Sequence, residues 1–149
     1  MTSTSEAVDA LFGAVVTAWG LSASATGLPL EYADVKADPA GESVDGNNRT
    51  LGYGRVTLNH TAGLQGTMGN VGNRQFSSNG IFTIQIFTPA GDGYTLGRAI
   101  GSDMITALRA LRSPNGVSLN NISPPLESGI TGAYSMILIT ADVSYRERA

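Results

Sequence analysis

Between Ile81 and Phe87 hydrophobic and polar positions alternate, with Ile84 and Ile86 on one face and Thr83 and Gln85 on the other. That period, in residues rich in β-branched and aromatic side chains, predicts a strand. Pro89-Ala90-Gly91-Asp92-Gly93 breaks it, and from Leu96 the apolar positions fall at Leu96, Ile100, Met104, Leu108 and Leu111. A spacing of three or four predicts one stripe of an amphipathic helix. Upstream, Val8, Leu11, Phe12, Val15 and Trp19 share a helical face, so a first helix is expected from Ser5 to about Trp19, stopped by Gly20. Ser3 and Glu6 have the spacing of a capping box at its start. Trp19 is read as a core or interface anchor.

Leu30 to Val35 predicts a short strand, and Asp38 to Thr50 has the Pro, Gly and Asn content of an exposed loop. A strand follows from Tyr53 to about His60, with Val56 and Leu58 opposed to Arg55 and Thr57. After the second helix, Ser113-Pro114-Asn115-Gly116 acts as a stop, Val117 to Ile122 predicts another short strand, and Pro124-Pro125 with Gly129 predicts a turn. The last strand is expected from about Ala133 to Tyr145, with Ile137, Ile139, Ala141, Val143 and Tyr145 on one face. Met136 and Leu138 make its first half apolar on both faces, which suits a central position. The order implies one α+β domain over residues 1–149: a mixed, mainly antiparallel sheet with two helices on one face.

Thr61 to Ser78 fits no period, and its Gly63, Gly66, Gly69 and Gly72 are three apart. Without proline and at this length it is no collagen helix. Because it joins strands expected to be antiparallel neighbours, it is read as a long flexible hairpin arm; loops of this length are uncommon in compact domains. Arg74 is its only charged residue, and Leu64, Met68 and Phe76 are among its few apolar ones. With Asn73, these are the residues expected to meet a partner.

Composition narrows the function classes. Charged residues are 14% of the 149, against about 25% in an ordinary soluble domain. Either Ser, Thr, Asn and Gly solvate the surface, or partner subunits cover part of it. A net charge of -3 and no cluster of Lys and Arg argue against nucleic acid as the main partner. The chain has no cysteine, hence no disulfide framework, thiolate metal site or cysteine nucleophile. No run approaches the 18 apolar residues of a membrane span and Met1 to Glu6 lacks the features of a signal peptide, so synthesis in the cytoplasm is expected.

Candidate chemistry is thin. His60 is the only histidine and is read as an exposed structural residue. Asp34, Asp38, Asp92, Asp103 and Asp142 lack the spacing of a calcium loop or a catalytic pair. Gly91 to Gly97 occupies the place of a phosphate-binding turn, but lacks the Gly-Lys-Ser/Thr ending and the dinucleotide glycine spacing; it reads as a plain strand-to-helix turn with Thr95 as N-cap. No catalytic residue, metal ligand or cofactor site is expected, and the chain is not read as an enzyme.

The arm ending Gly72-Asn73-Arg74, the strand Gly80 to Phe87, the turn Pro89 to Gly93 with its following helix, and the closing strand ending Val143-Ser144-Tyr145-Arg146 together resemble the tail terminator proteins of long-tailed siphophages. A short strand at Gly116 to Asn120 and a Pro-containing connection extend the likeness across roughly the second half of the chain. The resemblance implies a structural virion protein of the tail-neck region, assembled in the host bacterial cytoplasm. It implies a homo-hexameric ring that caps the tail tube, stops its polymerisation and meets the head-side connector or stopper protein. DNA would pass through such a ring without being specifically bound, and no membrane is involved. The alternative is another neck or tail component: a head-tail joining or stopper protein, or a tail tube subunit.

Overall fold

The computed structural model describes residues 4–25, 28, 30–32, 52–67, 69–89, 94–111, 117–131 and 134–148. Ser3 of the expected capping box, Ala33 to Val35 of the expected first strand, the whole loop 38–50, the turn residues 90–93 and the stop at 113–116 lie outside them. The elements are α1 (Thr4–Leu21), β1 (Leu30–Tyr32), β2 (Tyr53–Gln65), β3 (Gln75–Pro89), α2 (Thr95–Ala110), β4 (Ser118–Asn120), β5 (Leu126–Thr131) and β6 (Tyr134–Arg148). The strands form one sheet in the order β1-β2-β3-β6-β4, with β5 also on β6. β1 runs parallel to β2 and every other pairing is antiparallel, so the fold is the expected α+β with a mixed, mostly antiparallel sheet.

Register places the alternating hydrophobics where burial rewards them. Val56, Ile84 and Ile139 are cross-strand neighbours, as are Gly54, Ile86 and Ile137. These residues face the helices: Leu11, Phe12, Val15 and Trp19 of α1 and Ile100, Met104, Ile105 and Leu108 of α2 complete the same core. Phe12 meets Phe82 edge to face with ring centroids 5.9 Å apart. Leu11, Phe82, Ile84, Ile100, Ile137 and Ile139 are fully buried, each contributing about 1.5–3 kcal/mol of apolar transfer.

Two glycines let the layers approach. A Cβ on Gly54 would stand 2.6 Å from the Trp19 ring, so Trp19 lies directly over the β2 backbone while its Nε1–H donates to the Leu28 carbonyl at 2.9 Å. A Cβ on Gly97 would stand 2.8 Å from the Ile137 side chain, which seats the first turn of α2 on β6.

Several sequence expectations are corrected. The segment Thr61 to Ser78 is not one long loop: β2 continues to Gln65 and β3 begins at Gln75. The reason is non-local. β6 pairs with β3 along its whole length, from Pro89↔Tyr134 to Gln75↔Arg148, and this ladder carries glycine-rich residues that local propensity disfavours in strands. The arm is therefore a three-stranded ribbon with a short tip. A register shift between His60 and Ala62 marks a bulge at Thr61. β5 occupies residues read as a turn, held by pairing on β6. The N-cap of α2 is Tyr94, with no side-chain cap bond, rather than Thr95.

Candidate assembly surface

The tip of the arm is built by local hydrogen bonds. The Gly66 N–H donates to the Gln75 carbonyl at 2.7 Å, and the Asn73 N–H to the Asn70 carbonyl at 2.9 Å. Thr67 is held twice, its carbonyl accepting from Gln65 Nε2 at 2.9 Å and its hydroxyl from the Gln75 N–H at 3.0 Å. Gly72 turns the chain at φ 94°, a region open to glycine at little cost.

Of the five residues singled out from sequence, four lie on this hairpin and Met68 is outside the described residues. Asn73 is exposed in the tip and Arg74 is half-buried just before β3. Leu64, 64% exposed, pairs with Ser77, whereas Phe76 pairs with Gln65. Adjacent register rows point to opposite faces, so Leu64 and Phe76 do not share one patch.

Sequence reasoning did not single out the sheet face opposite the helices. At its end remote from the tip, Tyr53 stacks on Phe87 at 4.6 Å and Tyr134 meets both edge-on. The Arg55 guanidinium lies 5.6 Å from the Phe87 ring centre and its Nε donates to Glu31 at 2.9 Å. The alternation around Arg55 was visible, but which residues would stack from β2, β3 and β6 depends on register.

Nearer the arm, this face becomes polar. Asn59, Ile81, Asp142 and Asn120 form one cross-strand row from β2 to β4. Asn121, at φ 51°, donates from Nδ2 to Asp142 at 2.7 Å. Beside the row a cavity of about 440 Å³ is lined by Thr61, Asn79, Ile81, Asn120, Asp142 and Ser144 among others. On the helix side, His60 lies 2.7 Å from the Tyr145 hydroxyl, tying the bulge of β2 to β6.

Asp103, midway along α2, accepts at 2.6 Å from the hydroxyl of Ser22, just past the end of α1. Asp34, Asp38 and Asp92 lie outside the described residues, and among those described no three His, Cys, Asp or Glu residues gather as metal ligands. No described helix is long and apolar enough to cross a membrane. The arrangement offers backbone edges, amides and apolar area, which are means of association. No known protein family matches the chain, and no curated protein is significantly similar to it.

Proposed function

We propose that this chain is a ring-forming structural subunit of a long phage tail: a terminator that caps the tail tube, ends its growth and meets the head-side connector. One observation carries the reading. The sheet runs past the helix-covered core, and from Asn59 to Gln65 the outermost described strand of that extension is exposed and carries no Lys, Arg, Asp or Glu. An exposed strand without charge or proline invites pairing with another chain, and proteins that must stay single usually guard against it. A low overall charge suits a surface that assembly covers.

Capping then needs no catalysis and no cofactor. Heterologous side contacts close a ring, while a tube grows only where an axial face repeats itself. A ring that matches the tube on one side and not on the other ends the tube. A phage lacking this gene should make overlong tubes that fail to join heads, and adding the protein before assembly should restore a fixed length. Tails of normal length, joined to heads in its absence, would move the assignment to another neck component; polymerisation of the purified protein into tubes would make it a tube subunit.

A further inference from the structure

Among the described residues, two backbone edges without a strand partner lie at the same level on opposite sides of the sheet. β1 covers β2 only at Gly54 to Val56, so beyond Val56 no described strand pairs with the outer side of β2. On the far side β4 pairs with β6 at Ser144, Val143 and Asp142, and no described strand lies outside it. The row Asn59–Ile81–Asp142–Asn120 links the two edges straight across the sheet. Both terminal asparagines are exposed.

We propose that neighbouring copies of this chain join through these edges, the outer edge of β2 in one copy pairing with the outer edge of β4 in the next, Asn59 opposite Asn120. This inference rests on the ring reading and specifies the contact that closes the ring. Direction supports it: β2 and β6 are both antiparallel to β3, and β4 is antiparallel to β6. β4 therefore runs opposite to β2, and copies laid side by side in one orientation bring the edges together as an antiparallel pair. Level supports it as well. The edges share one row, so each copy adds without axial offset, and a contact repeated without offset closes into a ring instead of climbing as a helix. The side chains agree, since each carboxamide has both donors and an acceptor and two opposed asparagines can satisfy one another. Pairing β2 with β2 about a two-fold axis would instead close a dimer and leave β4 unused.

The chain contains no cysteine, so introduced thiols report this contact alone. Directly opposed residues have Cβ atoms about 4.5–5.5 Å apart, slightly more than the disulfide mean of about 3.8 Å, so oxidation is run beside a short bis-thiol linker. The doubly substituted Asn59→Cys/Asn120→Cys protein should give a ladder of covalent multimers ending at the ring, while an equal mixture of the two single variants should stop at dimers. Each single variant alone should remain uncrosslinked. Dimers from Asn59→Cys alone would overturn the proposal in favour of two-fold pairing. Rings visible by electron microscopy without crosslinks in the double variant would overturn it while leaving the ring reading intact. A protein that stays monomeric even with tail tubes present would overturn both. As an independent check, Asn59→Lys/Asn120→Lys should lower the assembled fraction at least tenfold, and Asn59→Lys/Asn120→Glu should restore it.

Discussion

Thr88 is 1% exposed, and its hydroxyl has no hydrogen-bond partner among the described residues. An orphaned buried hydroxyl costs about 1–3 kcal/mol of desolvation, and valine keeps the branched shape without the polar atom. Thr88→Val should therefore raise stability by about 1 kcal/mol, seen as a higher urea midpoint at unchanged slope. An unchanged or lower midpoint would mean that the hydroxyl is satisfied. Gly54 makes the opposite case. Its absent Cβ is the space that the Trp19 ring fills, so Gly54→Ala forces the helix layer outward and should cost about 1–3 kcal/mol by overpacking. Trp19 is the only tryptophan, so its fluorescence reports both the unfolding and any shift of the ring. Trp19 was legible from sequence as an anchor; its seat was not, because Gly54 lies on an element that only tertiary pairing brings beneath it.

At the scale of elements, what could be read was what carries its own periodicity. The stripe Ile100, Met104, Leu108 and the alternation Ile84, Ile86 repeat within one element, and both elements form where expected. The arm and β5 do not repeat. Gly63, Gly66 and Asn79 disfavour strand, as Pro125 and Gly129 do near β5, and both segments are extended because β6 offers a long ladder on each side. This origin predicts a graded arm. In the isolated subunit, amides of Phe76 to Asn79 on β3, flanked by two strands, should exchange slowly, whereas those of the tip from Gly69 to Asn73 should exchange rapidly. Uniform fast exchange from Thr61 to Ser78 would show that the ladder does not hold outside an assembly.

For the molecule as a whole, the arm presents two separable surfaces. Its β2 edge faces sideways along the sheet, while its tip, with Asn73 and Arg74, ends the hairpin. The tip bonds are local, and the core residue nearest the tip is Tyr145, opposite Ser78, so the tip can be removed without opening the core. Replacing Thr67 to Arg74 by Asn-Gly joins Gly66 to Gln75, already linked by the Gly66 N–H to Gln75 carbonyl bond, through a turn whose twist suits a two-residue hairpin. The shortened protein should unfold within about 1 kcal/mol of the parent, since surface changes away from packed features rarely cost more. If lateral contact depends on the strand edges and docking on the tip, it should still form rings yet fail to limit tube length. Loss of rings with folding intact would instead place the lateral contact in the tip, and normal tube length would remove the tip from docking.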